Sequence, residues 1–421
     1  MQLTPHFRLL IILLVFACCS SISAQKNKNP IDSIVKATKF LKKTASAKKK
    51  YKVQIIYTQI NRDAKNVPSF KNYTYGLDSN NYFYPASTVK LPTSIFALEK
   101  INQLDIPELT RDACMVTDSA NTCQKKIWFD SSARNGKPSI EHYIKKMFLV
   151  SDNNAFSRVF EFVNPKEINA RFTELGHPSA RIVHRLDLGC VGKGNRYYNP
   201  VRFLNTRGDI LYAQAADSLL SDFEPRFKVM WMGRNIYGKK RKVVSQKKDF
   251  TKSNYLSLTM IHQSLKNLVF MEQVPLKDRY KLTKNDQFFL LKYLGMYPKE
   301  SDYPKYDTSF FYDAFKKYFI YGGNTKHINV DTLRIFNIVG RAYGFQIDCA
   351  YIVDFRTNTE FLLSTVIYTN QRNSFGTGNY EYDTIGLPFL KELSLALYRF
   401  EKNRKKKYLP KLDGLPYYNQ P

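Results

Sequence analysis

Hydrophobic and polar positions follow helical spacing in some segments and strand spacing in others. At the start, residues 31–50 place apolar positions at helical spacing among lysines, and this predicts an amphipathic basic helix. The apolar run 53–57 predicts a strand, and a second strand and turn follow around 73–84. Two long β-rich runs, 334–355 and 360–369, come late in the chain. Strands are therefore concentrated near the two ends.

The middle of the chain has a different pattern. From residue 87 to about 200 helical spacing dominates, for instance over 140–148 and 154–162. Residues 201–250 are irregular and basic, helices resume from about 253, and a last helix is predicted over 387–405. Elements in this order predict that both ends of the chain share one sheet and that the middle forms an inserted helical lobe.

Composition and charge restrict the class of protein. The 421 residues are 43% hydrophobic and 14% aromatic, which excludes an intrinsically disordered chain. Lys and Arg number 65 against 36 Asp and Glu, a formal net charge of +29. Such a charge attracts anionic polymers and anionic lipids but does not identify the fold or the chemistry.

The first residues have the layout of a secretory signal. A basic residue precedes the apolar run 9–16, and small residues follow up to Ala24. The run is shorter than the roughly 20 residues of a membrane helix. We therefore expect a signal peptide over 1–24 and an exported domain over 25–421, in the periplasm or cell envelope. Lipoprotein anchoring at Cys18 remains an alternative, and nucleic acid is not an expected partner of an exported chain.

Cysteine usage agrees with export. Cys114 and Cys123 lie nine residues apart in a polar stretch rich in turn formers, and in an oxidising compartment they are candidates for a disulfide. Two unpaired thiols are the alternative. No second Cys or His pair stands at the spacing that zinc requires, so we expect neither a metal nor another cofactor.

The segment Ser87-Thr88-Val89-Lys90 is a candidate for nucleophilic chemistry. Residues three apart on a helix share one face, and a buried lysine that has lost its proton can accept the proton of a serine hydroxyl. The same spacing occurs at three other places in lysine-rich stretches, namely Ser33/Lys36, Ser46/Lys49 and Ser245/Lys248. Ser87 differs from them because it follows an aromatic strand and opens an apolar helix. The alternative is an ordinary helix start.

A second candidate motif is Ser151-Asp152-Asn153, which follows an apolar helix. Alone it is typical of a helix cap, because all three side chains can accept from free backbone N–H groups. Beside Ser87, however, a second hydroxyl could relay a proton, and the Asn153 amide could hold both the lysine and a substrate.

Together the two motifs, lying between strands at the two ends of the chain, resemble the serine β-lactamase and penicillin-binding protein superfamily, in particular class A β-lactamases. Residues 340–352 resemble that family's Lys-Thr-Gly strand and the turn into the next strand, and 184–187 resemble the opening of its omega loop. The resemblance covers roughly 31–400, with an insertion at 201–250. It implies an α+β fold, an α/β/α sandwich of a five-stranded antiparallel sheet, flanking N- and C-terminal helices and an inserted all-helical lobe.

The resemblance also implies a role for each matching residue. Ser87 would be the acylated nucleophile, Lys90 its base partner and Ser151 the proton shuttle, within a scheme whose acylation base is disputed. Asn153 would contact the substrate. The backbone N–H groups of Ser87 and of the residue after Gly340, which is Arg341, would form the oxyanion hole.

Two departures from the family pattern bear on the activity. The chain reads Ile338-Val339-Gly340 where the family has Lys-Thr-Gly, so the cation and hydroxyl that hold the substrate carboxylate are missing. On a strand, the Arg341 side chain should point away from that side. The deacylating glutamate is also missing, and Asp187 is either its replacement or an anchor of the loop.

Three functions follow from these observations. The first is an exported serine hydrolase that acylates Ser87 with a β-lactam or related amide and then hydrolyses it, and so contributes to antibiotic resistance. The second is an enzyme similar to a D-Ala-D-Ala peptidase, acting on cell-wall peptide. The third is a non-catalytic binding protein whose basic insertion meets an anionic envelope polymer. In each case we expect a monomer.

Overall fold

The computed structural model describes most of the chain. The described residues are 29–120, 125–186, 192–219, 223–238, 242–328, 332–376 and 378–418. Within these ranges no helix has both the length and the apolar character needed to cross a membrane. The predicted signal peptide, Cys18 and Cys123 lie outside the described residues.

The α-helices of the described residues lie between residues 30 and 403. In chain order they are α1 Pro30–Ile34, α2 Lys39–Ser46, α3 Lys48–Tyr51, α4 Lys90–Leu104, α5 Ile140–Val150, α6 Asn153–Val163, α7 Pro165–Glu174, α8 Leu258–Val269, α9 Lys284–Gly295 and α10 Leu387–Asn403.

The strands fall into two groups by length. The long strands are β1 Gln54–Arg62, β2 Pro68–Tyr75, β12 Leu333–Ala342, β13 Phe345–Asp354 and β14 Thr359–Tyr368. The short strands are β3 Cys114–Thr117, β4 Tyr197–Tyr198, β5 Val201–Leu204, β6 Ile210–Gln214, β7 Asp217–Ser218, β8 Trp231–Met232, β9 Asn235–Tyr237, β10 Val243–Val244, β11 Lys248–Asp249 and β15 Ser374–Phe375.

The long strands form one five-stranded antiparallel sheet in the order β12-β13-β14-β1-β2. β1 lies between β2 and β14, with Gln54 opposite Val366, so both ends of the chain share this sheet. The turn from β12 to β13 is two residues long, and both Tyr343 and Gly344 have positive φ, as tight hairpins require. The predicted α+β fold is confirmed.

Each face of the sheet is buried under helices, which explains why its late strands read as continuous apolar runs. On one face, Phe336 and Ile338 of β12 belong to a core shared with the helical lobe. On the other, Ile335 and Val339 pack into a core shared with the terminal helices. The strand period of two therefore sends alternate β12 side chains into two different cores.

The predicted single helix over 31–50 is instead three short helices, α1 to α3. The break before α2 is stabilised by Thr38, whose hydroxyl oxygen accepts from the backbone N–H of Leu41 at 3.1 Å. The same hydroxyl donates to Glu392 of α10 at 2.7 Å. Because the Thr38 side chain both caps a new helix and binds the last helix, the chain begins a new helix there although the helical spacing of apolar residues continues.

The inserted lobe contains strands as well as helices. β3, β5 and β6 form a small three-stranded sheet, and further short strands lie within 201–250, the segment that the sequence marks as a basic insertion. Strands of two to five residues carry too few positions to show a strand period, so sequence reasoning did not find them. Cys114 is the first residue of β3 and is buried, and its predicted pairing with Cys123 stays a prediction.

Candidate active site

Ser87 lies in a tight turn that leads directly into a helix. Residues 86–89 form a 3₁₀ turn, and α4 begins at Lys90. Ala86 has φ +48°, a left-handed conformation that costs a non-glycine residue roughly 1–2 kcal/mol. The Thr88 hydroxyl donates to the Pro85 carbonyl at 2.7 Å and stabilises this turn. In consequence the Lys90 Nζ lies 3.1 Å from the Ser87 Oγ.

The second motif, Ser151-Asp152-Asn153, lies at the junction of α5 and α6, beside the first motif. Ser151 ends α5 in a left-handed conformation with φ +62°, and Asp152 caps α6 by accepting from the backbone N–H of Ala155 at 2.9 Å. This sharp reversal turns the Ser151 hydroxyl toward Ser87, where it donates to the Ser87 Oγ at 2.8 Å.

Lys90 connects all of these groups. Its Nζ lies 2.9 Å from the Ser151 Oγ, 2.5 Å from the Ser151 carbonyl oxygen and 2.8 Å from the Asn153 Oδ1. A neutral amine has two N–H donors and one lone pair. It can therefore donate to the carbonyl and the amide oxygen while its lone pair accepts a hydroxyl proton.

The electrostatic surroundings favour this neutral form. Lys90 is completely buried, and burial lowers the pKa of its amine well below the ordinary value for lysine. The positive charge of Lys316 lowers this pKa further, whereas Asp152 raises it. The amine is thus prepared to act as a base toward the hydroxyl that it contacts.

At Gly340, the edge strand β12 approaches the turn that contains Ser87. A Cβ at this position would lie 2.7 Å from the carbonyl oxygen of Pro85, so only glycine fits without a shift. Arg341 follows and, like Val339, lines the same cavity as Ser87, so the cavity lies on the face of β12 opposite Ile338 and Arg341 does not point away from it. Its side chain is 43% exposed, stands over the ring of Tyr382 and lies 3.7 Å from Asp383.

The cavity beside Ser87 has a volume of about 210 Å³. Ser151, Asn153 and Arg341 line it, together with aromatic side chains from the segment that precedes β12. Ile338 is instead buried in the core shared with the lobe and supplies no charge. The structure adds one basic residue that sequence reasoning missed, Lys316. The only signal for it is a lysine pair flanked by the apolar residues Phe315 and Tyr318.

The segment that resembles an omega loop is held by a buried ion pair. Arg185 donates to Glu161 of α6 at 2.8 Å, and each side chain is only 2% exposed. His184 stacks on Tyr84. Asp187 lies outside the described residues, and among the described residues that line the cavity there is no Asp or Glu.

The fold is that of the serine β-lactamase and penicillin-binding protein superfamily. It shares with that superfamily the order of the strands, the inserted lobe and the serine-lysine turn that faces the edge strand. Within it, the chain belongs to the beta-lactamase enzyme family, whose model matches residues 36–267, more than half of the chain. No curated protein matches the sequence.

Several solved structures are similar to this chain at low identity. The β-lactamase from Chitinophaga pinensis is 11% identical with a TM-score of 0.47, over 85% of this chain and 97% of that one. The TLA-1 extended spectrum β-lactamase is 14% identical with a TM-score of 0.46, over 88% and 98%. PBP-A is 13% identical with a TM-score of 0.47, over 89% and 97%.

Proposed function

We propose that the chain is an exported serine hydrolase in which Ser87 is acylated by a β-lactam or a related amide, and that water then releases the product. The observation that carries the proposal is the contact between the Ser87 hydroxyl and the buried Lys90 amine, whose pKa is lowered by burial. The Ser151 hydroxyl completes the group, because it lies 2.8 Å from the Ser87 Oγ. Membership of the beta-lactamase enzyme family supports a hydrolase.

The proposed acylation uses each of the neighbouring groups. Lys90 accepts the Ser87 proton while the Ser87 Oγ bonds to the substrate carbonyl carbon, whose oxygen takes the negative charge and faces the backbone N–H groups of Ser87 and Arg341. The Ser151 hydroxyl then gives its proton to the leaving nitrogen as the C–N bond breaks, and Lys90 returns a proton to Ser151. The result is an ester on Ser87 and a neutral amine on Lys90.

The second step is expected to be slow. No described residue that lines the cavity carries a carboxylate to activate water, and a lost general base costs about 10²- to 10⁴-fold in rate. An acyl-enzyme should therefore accumulate. This favours a second candidate function, a cell-wall peptidase of the D-Ala-D-Ala type, for which slow release of β-lactams is tolerable.

Labelling with a fluorescent penicillin, followed by intact-protein mass spectrometry, tests the proposal. Wild type should gain the mass of one penicillin, and Ser87→Ala should gain none. Ser33→Ala is the matched control, because Ser33 has the same spacing to a lysine but is exposed on α1. Labelling that survives in Ser87→Ala would refute the assignment. If neither penicillin nor a fluorophosphonate labels the wild type, the protein is not an acylating enzyme, and the non-catalytic binding function is supported instead.

Export is proposed on the layout of the first 24 residues alone. Fractionation of cells that express the full chain should recover it in the periplasm or envelope, with residues 1–24 removed. If globomycin, which blocks lipoprotein processing, leaves the precursor uncleaved, Cys18 is lipidated. Recovery of the full-length chain in the cytoplasm would contradict export.

A further inference from the structure

Two adjacent lysines before β12 are both buried but have different surroundings. The Lys317 ammonium donates to the carbonyl oxygens of Leu294 and Ile335 at 2.6 and 2.8 Å and to the Asn337 Oδ1 at 2.8 Å. Lys316 is 7% exposed, its ammonium makes no hydrogen bond or ion pair within the described residues, and its Nζ is not among the side-chain nitrogens that are shut off from solvent. Lys317 is therefore a structural residue, whereas the Lys316 ammonium makes no such contact and stays open to solvent.

Lys316 lies on the wall of the cavity that contains Ser87. Its backbone is anchored, because its carbonyl oxygen accepts from the Asn337 Nδ2 at 2.7 Å. The neighbouring Lys317 binds the same asparagine from the other side. This double attachment positions the Lys316 side chain against the cavity.

The charges around the cavity are almost all positive. Arg341 lines it, Lys90 lies beside it, and no described lining residue is acidic. Asp348 of β13 is the carboxylate that acts on Lys316, but it already accepts from the Asn337 Nδ2 at 2.9 Å and from the backbone N–H of Phe319 at 3.0 Å. An ammonium that is largely withdrawn from water and makes no hydrogen bond to the protein gains much from an anion that enters the cavity.

We propose that Lys316, assisted by Arg341, binds the anionic group of the substrate beside Ser87, and that the site therefore takes small anionic amides or esters. The substrate class rests on the proposed acylation of Ser87, whereas the binding of the anion does not. The cavity volume limits the acyl donor to a small molecule or to the end of a chain. The proposed cation, Lys316, lies outside the strand motif. At the position of the motif's lysine this chain has the apolar residue Ile338.

The titration of Lys316 gives the proposal a pH signature. The pKa of its ammonium is lowered to about 7, mainly by burial; the charge of Asp348 raises this pKa and the charge of Arg341 lowers it. The other charged groups that face it are Lys90 and Lys317. Below about pH 7 Lys316 is a cation, so preference for an anionic substrate should be present there and should weaken as the pH rises.

The first experiment compares a penicillin that has a free carboxylate with its methyl ester. Lys316→Met should slow acylation by the carboxylate form about 10- to 100-fold more than acylation by the ester, whose rate changes only through the loss of the Lys316 charge near Lys90. Lys326→Met removes the same charge from an exposed position that does not line the cavity, so both rates should stay unchanged. Equal losses for both substrates in Lys316→Met, or no loss for either, would overturn the proposal.

The second experiment separates anion binding from acylation. In Ser87→Ala, calorimetry should show benzylpenicillin binding more tightly at pH 6 than at pH 8.5, and adding Lys316→Met should remove this difference. Unchanged binding in the double variant, or no binding to Ser87→Ala, overturns the inference even if wild-type Ser87 is labelled. If binding depends on Lys316 but the wild type is never labelled, the anion-binding proposal is supported. The proposed hydrolase is then refuted.

Discussion

Adding one methyl group at Gly340 should impair acylation more than stability, because β12 and the Ser87 turn touch there. In Gly340→Ala the new Cβ would lie 2.7 Å from the Pro85 carbonyl oxygen, 3.1 Å from the Thr88 Cγ2 and 3.3 Å from the Ala86 Cβ. Two of these atoms are backbone or attached directly to it. They cannot rotate away, so the strand or the turn must move.

The size of that movement follows from the distances. Ordinary van der Waals contact begins at 3.4 Å, and the shortest distance falls about 0.7 Å below it. Misplacing reacting groups by about 1 Å can cost about 10²-fold in rate, so we expect acylation to slow about 10- to 100-fold. Overpacking of this kind costs about 1–3 kcal/mol in the free energy of unfolding.

The assay is the second-order rate constant for acylation by a penicillin, measured beside urea denaturation. Gly414→Ala is the matched control, since a Cβ there meets nothing within 4 Å and its φ is ordinary. The control should change neither quantity. Wild-type acylation in Gly340→Ala would mean that the strand and the turn do not constrain each other, and the reasoning would fail.

Three further perturbations test other parts of the molecule. Lys90→Met should slow acylation at least about 10²-fold without lowering the melting temperature. With a penicillin methyl ester, the wild-type rate should rise with pH to a plateau well below the ordinary lysine pKa, because only the neutral amine accepts a proton. A flat pH profile would contradict this. Glu161→Gln leaves the buried Arg185 without its carboxylate and should lower the free energy of unfolding by about 3–5 kcal/mol in urea denaturation; a loss below 1 kcal/mol would show that the pair is dispensable. A disulfide between Cys114 and Cys123 should contribute about 2–3 kcal/mol, and non-reducing peptide mapping of exported protein that finds both thiols alkylated would exclude it.

The part of the site that sequence reasoning found is local. Ser87 and Lys90 are three residues apart, so helix geometry alone brings them together. Ser151 and Asn153 were found because a hydroxyl and an amide beside a helix end form a recognisable motif. In the same way, the long strands of the sheet are visible in the sequence because each extends over eight to ten residues, and the late ones are continuous apolar runs.

What sequence reasoning missed depends on tertiary packing. Nothing in the pair Lys316-Lys317 says that one ammonium binds carbonyl oxygens and the other faces the cavity, because their preceding segment has no helical or strand period. The break of the predicted N-terminal helix at Thr38 likewise depends on Glu392, which lies near the other end of the chain.

The strand order has a consequence for the way the chain folds. Because β1 pairs with β14, with Gln54 opposite Val366, synthesis leaves β1 with only β2 as a neighbour until almost the whole chain has been made. A two-stranded hairpin is marginally stable in water, and pairings so distant in sequence slow folding. The turn that contains Ser87 meets Gly340 only after β12 has been synthesised. The nascent chain therefore keeps apolar strand faces uncovered for most of its synthesis, and chaperones that hold unfolded chains have a long interval in which to bind it.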